Sequence, residues 1–232
     1  MNTTDNRKSM ETVLLMLSGG LDSTYMLYHY LTQTNLRVHA HHISIRYPHL
    51  QRWRAEDSAV TRIVAFCRER YRDVEYSESY FGFDFKQHVG WDSDLQLLVA
   101  SKVVPNLNAE RITVAIGWCV EDLERPEVAE RAQRQVTPNL WRALHASISF
   151  RESINPELAM PLVGRGVTKV DILRQLPREL LDLCWSCRNP AIQAEKKPAP
   201  CGQCHACLLN LTSIAKAGLN PADFPNLVRI ES

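Results

Sequence analysis

The sequence carries almost no net charge: its 27 lysines and arginines are offset by 26 aspartates and glutamates, leaving +1. It therefore lacks the cationic field of a dedicated nucleic-acid binder, and bulk charge leaves the substrate class open. It also lacks any apolar run long enough to span a membrane, and Met1 to Glu11 is polar, without the apolar centre and cleavage site of an export signal. These absences predict a cytoplasmic protein with no membrane partner, in which the Asn-x-Thr sequons at Asn2 and Asn210 are chance matches. No internal repeat or low-complexity segment is present. The 232 residues suit one α/β domain with an appendage better than two full domains. A last absence is local: the glycine pair best suited to a phosphate ligand is not followed by the lysine of a Walker loop.

That pair lies in the stretch that organises the chain. Thr12 to Leu17 is an apolar run fit for a buried strand, Gly19 and Gly20 give a tight loop, and Leu21-Asp22-Ser23-Thr24 leads into a helix continuing from Tyr25 to Gln33. A helix N-terminus offers unpaired N–H groups and a partial positive charge, and Ser18, Ser23 and Thr24 add hydroxyls, so the loop predicts an anion site. The alternative is a glycine turn capped by Asp22 or Ser23 with no ligand.

Downstream, strands alternate with helices. Leu36 to Ile45 is a strand carrying His39, His41 and His42, which suggest a metal site only weakly because neighbours in a strand face opposite ways. Val60, Ile63, Val64, Cys67 and Tyr71 form one apolar face of a helix within Leu50 to Tyr71. Val74 and Tyr76 fit a third strand, Trp91 to Val104 a helix begun by Asp92 or Ser93, and Arg111 to Gly117 a fourth strand. Residues 126–150 read as helical, broken at Pro138, with Trp141 and His145 as packing residues; Met160 to Gly166 reads as a loop, and Thr168 begins a short helix with Lys169, Ile172 and Leu173. This order predicts a doubly wound, mostly parallel sheet whose ligands sit beyond the C-terminal strand ends. Ser18 to Thr24, the cationic stretch Arg46, His49, Arg52 and Arg54, and Gly117 to Arg125 should converge there. The arginines suit ATP phosphates or an anionic substrate, Lys169 suits phosphate charge, and Asp122, with Glu121 and Glu124, suits magnesium or a substrate amine. The competing readings are a solvated basic helix start, a surface lysine and an exposed acidic loop.

Late in the chain stand Cys184-Trp-Ser-Cys187 and Cys201-Gly-Gln-Cys204-His-Ala-Cys207. Their spacing points to a metal, with five thiols competing for the four positions of a tetrahedral zinc site. Either Cys184 or Cys187 completes the set, and the metal would pin the lysine- and proline-rich loop Gln193 to Pro200. An iron–sulfur cluster is the rival, and His205 reads as a bystander.

Ser18-Gly-Gly-Leu-Asp-Ser-Thr24 resembles the pyrophosphate loop of the ATP pyrophosphatase superfamily, whose members cleave ATP between the α- and β-phosphates and adenylate a substrate. Over nearly its whole length the chain further resembles the 7-cyano-7-deazaguanine synthase (QueC) family, through that loop, Gln51-Arg52-Trp53-Arg54-Ala55-Glu56, Pro161-Leu162 ahead of Lys169, and Ser186-Cys187 with Cys201, Cys204 and Cys207. The resemblance implies an ATP-pyrophosphatase domain over residues 1–178 and a zinc-binding subdomain over 179–232. It implies ATP held by Ser18, Gly19, Gly20, Leu21, Asp22, Ser23, Thr24 and Gly117, with Asp22, Ser23, Lys169 and Arg54 catalytic. Asp122 and Arg52 would face the substrate, and Cys187, in preference to Cys184, would join Cys201, Cys204 and Cys207 on zinc. The implied activity is activation of 7-carboxy-7-deazaguanine as an acyl-adenylate with ATP and magnesium, capture by ammonia to give the amide, then activation of the amide to give the nitrile, in a protein that is commonly a homodimer.

The departures fall in the substrate-facing loops. A Pro-Gly-Arg-Asn segment usual in the family is replaced by Trp91-Asp92-Ser93-Asp94, and the loop after the fourth strand is reduced to Asp122-Leu-Glu-Arg-Pro-Glu127. The chain thus also resembles paralogues associated with anti-phage systems, for which the acceptor would be a protein amine. The remaining alternatives are a catalytically weak nucleotide-binding partner and a tRNA-modifying pyrophosphatase, the latter disfavoured by the lack of a basic RNA-binding segment.

Overall fold

The computed structural model describes residues 11–47, 50–82, 92–135, 138–148, 156–192 and 198–229. Of the sequence expectations, those on residues 1–10, His49, Trp91, residues 149–150 and residues 193–197 lie outside the described residues.

The apolar run becomes β1 (Thr12–Met16), buried along its whole length. Alternation divides it between two cores. Val13, Leu15 and Leu17 join one with residues of α1 (Leu21–Gln33), α2 (Arg52–Arg70) and α7 (Lys169–Gln175), among them Leu27, Ile63 and Ile172. Leu14 and Met16 join the other with residues of α3 (Asp92–Val103) and α5 (Pro138–Ile148), among them Leu97 and Trp141. A strand covered on both faces is what a continuous apolar run encodes.

With β2 (Arg37–Arg46), β3 (Glu75–Gly82), β4 (Ile112–Ala115) and β5 (Glu157–Ala159), β1 builds a five-stranded sheet in the order β3-β2-β1-β4-β5, every pairing parallel. The architecture is the expected doubly wound α/β sheet. The chain winds outward from β1 to β2 and β3, then crosses to β4 on the other side, so the loops after β1 and β4 part at the switch point and leave a crevice between them.

After β4 come α4 (Pro126–Gln135) and α5, which begins at Pro138. The Met160–Gly166 stretch, expected as a loop, contains one helical turn, α6 (Pro161–Gly164), with proline at its start, where a missing N–H costs nothing. Next come α7, α8 (Arg178–Leu181), an antiparallel ribbon of β6 (Ala191–Ile192) and β7 (Pro198–Ala199), and α9 (His205–Lys216). Leu180, Cys184, Cys207 and Ile214 from this C-terminal segment share the core of Val13 and Leu15.

β3 is longer than Val74 and Tyr76 suggested, and β5 carried no sequence signal. Both pair with one neighbour and are partly exposed, so neither shows an apolar run.

Candidate active site and four-cysteine centre

At the end of β1 the chain turns sharply. Gly19 takes φ 79°, in the left-handed region, and a Cβ there would stand 3.1 Å from Val60 and 3.2 Å from Ala59, so the position demands glycine on both counts. Gly20 then caps α1. Ser18 Oγ and Ser23 Oγ are 3.0 Å apart, and the Ser18 N–H donates to Ser23 Oγ at 3.2 Å, which draws the loop across the helix start. On the opposite side Gly117, after β4, comes so close that a Cβ would meet Ser23 N at 3.1 Å. The first-turn amides of α1, which have no partner within the helix, thus open beside two hydroxyls and two glycines. Not every loop residue turns to the crevice: Leu21 is a core anchor, and Thr24 is buried against the Cys184 thiol.

Asp22, in the first turn of α1, meets Lys169 from 147 positions away, with Lys169 Nζ 2.7 Å from each carboxylate oxygen. Lys169 is fixed by its helix start, where Thr168 Oγ1 accepts from Asp171 N while Asp171 Oδ2 accepts from Thr168 N, and where Lys169 N donates to Glu121 Oε1 at 2.8 Å. Burial opposes the charge of Lys169, but Asp22 outweighs it and keeps the ammonium protonated. The Asp22 pKa is raised, by burial first, with Lys169 opposing and Asp122 adding to the rise. Asp122 itself accepts from Cys119 N at 3.0 Å and Cys119 Sγ at 3.3 Å, and Asp22, Cys119 and Asp122 bring ligand atoms within 4.8 Å of one another.

A second charged group faces this one across an open cavity of about 340 Å³ whose wall includes Ser18, Gly20, Asp22, Gly117, Asp122 and Lys169. Asp92 accepts from Tyr47 OH at 2.6 Å, Arg52 Nη2 at 2.7 Å and Arg188 Nη1 at 2.9 Å. Burial would raise its pKa, but the two guanidiniums win and hold it down. Arg52 is buried and also lies over the Tyr47 ring. Arg54 is not brought to the cavity: it is exposed and stacks on Trp53, and it lies two residues from Arg52, about 200° round the helix, on a different face. Arg46 is likewise exposed, held between the rings of Trp53 and Tyr80. Sequence reading did not find Arg188, Trp185 or Glu56 as cavity residues. One signal was available for Arg188, which directly follows Cys187 and is the only arginine between Cys184 and Cys207.

Cys187, Cys201, Cys204 and Cys207 bring their sulfurs within 4.8 Å of one another, with Cys204 Sγ 3.5 Å from Cys207 Sγ and 4.0 Å from Cys187 Sγ. Cys201 N donates to Cys187 Sγ and Cys204 N to Cys201 Sγ, each at 3.2 Å. The Cys187 thiol is pulled down to about 5, first by the hydrogen bond from Cys207. These are the properties of a preformed thiolate metal centre. Cys184 stands apart from the four, its thiol bonded to the Leu180 carbonyl at 3.2 Å and pushed up to about 12 by burial. Among the described residues the three histidines of β2 do not gather into a ligand set: His39 and His41 bond Ser77 and Ser79, and His42 bonds Leu17 and Asp57.

The chain matches no protein-family model. It is 27% identical over 228 residues to the 7-cyano-7-deazaguanine synthase of Laribacter hongkongensis, an alignment covering 93% of this chain and 95% of the relative. It is 25% identical over 238 residues to the 7-cyano-7-deazaguanine synthase of Archaeoglobus fulgidus, covering 94% and 93%. Among solved structures it is similar to the U34-tRNA thiolase NcsA from Methanococcus maripaludis with its 4Fe–4S cluster, at TM-score 0.49 and 16% identity, covering 95% of this chain and 70% of that one. Along almost its whole length, then, the chain is similar to the 7-cyano-7-deazaguanine synthases to which its motifs point.

Proposed function

We propose that the protein is an ATP-dependent, AMP-forming carbon–nitrogen ligase acting on the carboxylate of 7-carboxy-7-deazaguanine. The observation that carries the reading is the Asp22–Lys169 pair at the head of a glycine and serine loop, in one cavity with Gly117, Asp122, Arg188 and Asp92. In this reading a substrate carboxylate oxygen attacks the α-phosphorus of ATP and pyrophosphate leaves along the loop. Its departing charge is met by the α1 amides, the Ser18 and Ser23 hydroxyls and the Lys169 ammonium. Ammonia then attacks the acyl carbon, and AMP and a proton leave, giving the amide; the amide oxygen attacks the α-phosphorus of a second ATP with loss of pyrophosphate, and departure of AMP and of both N–H protons gives the nitrile. Asp22 and Asp122 would hold a magnesium ion, which supplies charge neutralisation to the polyphosphate. Arg188, more exposed than Arg52, would orient the anionic substrate from the opposite wall, with Arg52 buried behind it and holding Asp92.

The four cysteines would hold zinc. Bonds of about 2.3 Å in a tetrahedron separate sulfurs by about 3.8 Å, which lies between the 3.5 and 4.0 Å separations found here. An iron–sulfur cluster must fit several irons between its thiolates and needs a wider cage. The protein would work in the cytoplasm as a homodimer, with a small-molecule substrate and ammonia as its partners. One feature favours a second acceptor, a protein amine: Asp92 stands where the synthases usually carry Pro-Gly-Arg-Asn, and it occupies both Arg52 and Arg188.

Radiolabelled ATP supplied with a panel of deazaguanines tests the reading. Carboxylate-dependent release of AMP and pyrophosphate, lost in Asp22→Ala with the fold intact, is the expected result. Absence of AMP with every deazaguanine would leave only a nucleotide-binding partner role.

A further inference from the structure

His42 lies on β2 directly behind the phosphate loop and is 2% exposed. The paired register of β1 and β2 ends at Met16 and His41. Leu17 N still donates to His41 O, but the strands then part and the Leu17 carbonyl, the last before the loop, turns to the His42 ring, with Nδ1 2.9 Å from its oxygen. The other ring nitrogen, Nε2, is 2.9 Å from Asp57 Oδ1 of α2, while Asp57 Oδ2 accepts from Ser44 Oγ at 2.9 Å. A carbonyl and a carboxylate only accept, so both ring nitrogens must carry protons for both bonds to exist. A neutral tautomer would set one lone pair against an oxygen inside the protein.

The groups around the ring agree with that assignment. Burial disfavours the charge, but Asp57, the Leu17 carbonyl and Glu56 outweigh it and raise the His42 pKa. His41, its neighbour, is driven down to about 4 by burial and stays neutral. Arg52 and Asp92 line the same small hollow as Leu17, Ser18, His42 and Glu56, and they neutralise one another.

We propose that His42 is a buried imidazolium that positions the phosphate loop, tying the Leu17 carbonyl to Asp57 of α2 and setting a positive charge behind a loop that has no Walker lysine. The proposal rests on the polyphosphate-binding reading of that loop and adds a pH dependence to it. Because the folded state raises the pKa, the contribution is complete below the ordinary histidine value of about 6.5 and is lost as pH rises through the folded-state value.

The test uses the full chain and inorganic pyrophosphate. Nitrogen-15 spectra of the histidine side chains should show both His42 nitrogens protonated at neutral pH, with a titration that moves to lower pH in Asp57→Asn. The wild-type affinity divided by that of His42→Asn, taken at each pH so that the ligand's own titration cancels, should be about tenfold in mild acid and fall towards one above the His42 titration. A neutral His42 at pH 7, or a ratio independent of pH, overturns the proposal, and the spectra of wild type and Asp57→Asn decide it even if His42→Asn does not fold. Loss of pyrophosphate binding at every pH would sink this inference together with the ATP reading. Retained pH-linked pyrophosphate binding without deazaguanine-dependent AMP would sink the substrate assignment alone.

Discussion

Replacing Lys169 with methionine removes the ammonium and keeps the length of the side chain. Lys169 is 8% exposed and Asp22 20%, and Lys169 Nζ lies 2.7 Å from both carboxylate oxygens. Stripping one member from a buried ion pair costs about 3–5 kcal/mol because a charge is left unmatched inside the protein. Asp22 has some access to water, and burial with Asp122 nearby already raises its pKa, so it can escape by taking a proton. The cost should therefore fall to about 2–4 kcal/mol, a drop in Tm of about 4–16 °C for a chain of this size. Asp22→Asn leaves the opposite charge stranded and should cost a similar amount. The double variant, Asp22→Asn with Lys169→Met, strands neither, so most of the stability should return, with a coupling energy of about 2 kcal/mol. Thermal and urea melts give the cycle, and AMP release from labelled ATP gives the chemistry. Stability should recover in the double variant while AMP formation stays lost. Additive destabilisation, or AMP release by the double variant, would refute the assignment of the pair.

Purified protein should hold about one zinc per chain and show no iron–sulfur absorption in the visible range. Cys204→Ser should lower metal content and solubility together, since the centre and its local fold form jointly. Cys184→Ser should keep the metal and cost about 1 kcal/mol, because a polar hydroxyl replaces a buried sulfur even though it can still donate to the Leu180 carbonyl, which elemental analysis and melting would read. Gly117→Ala forces a Cβ to 3.1 Å from Ser23 N, so it should cost about 1–3 kcal/mol and cut AMP formation by more than the melt alone explains; wild-type kinetics would exclude a close approach there. Mass spectrometry of reactions with ATP, magnesium and ammonium should find the nitrile under the ligase reading, whereas an amide or a protein conjugate accumulating in its place would favour the protein-amine acceptor.

What the sequence disclosed was whatever depends on local pattern. The run Val13 to Leu17 is apolar at every position because β1 is covered on both faces, so the central strand, its loop and the parallel order were legible together. Edge elements escaped for the opposite reason: β5 is three residues long and half covered, and β3 spells Glu-Tyr-Ser-Glu-Ser-Tyr-Phe-Gly because one side meets water. The candidate site divided along the same line. The loop, Gly117, Asp122, Lys169 and the four-cysteine spacing are local signals. The pairing of Asp22 with Lys169, or of Asp92 with Arg52 and Arg188, joins residues 40 to 147 positions apart and exists only after folding. Arg52 and Arg54 look equivalent in the sequence, and only their direction on α2 separates a buried cavity residue from a surface one.

The cysteine centre and the phosphate loop, read in the sequence as two independent features, are joined by four consecutive residues. Trp185 N donates to the Gly19 carbonyl at 2.8 Å, so the left-handed glycine of the loop is held by the segment that enters the centre. Trp185 Nε1 then bonds the Cys187 carbonyl at 3.0 Å, Ser186 lines the cavity, and Arg188 crosses to Asp92. A four-thiolate metal fixes the backbone at Cys187 with free energy that is also folding free energy for the segment. Beyond this strip the β6 and β7 ribbon pairs at two positions. Metal loss should consequently reach the nucleotide loop through Trp185 before it reaches the sheet, whose core is closed by Val13, Leu15 and the helices around them. Chelation would then weaken polyphosphate binding while far-ultraviolet circular dichroism stays near its starting value, whereas a centre that only props the C-terminal segment would lose α9 and leave affinity unchanged.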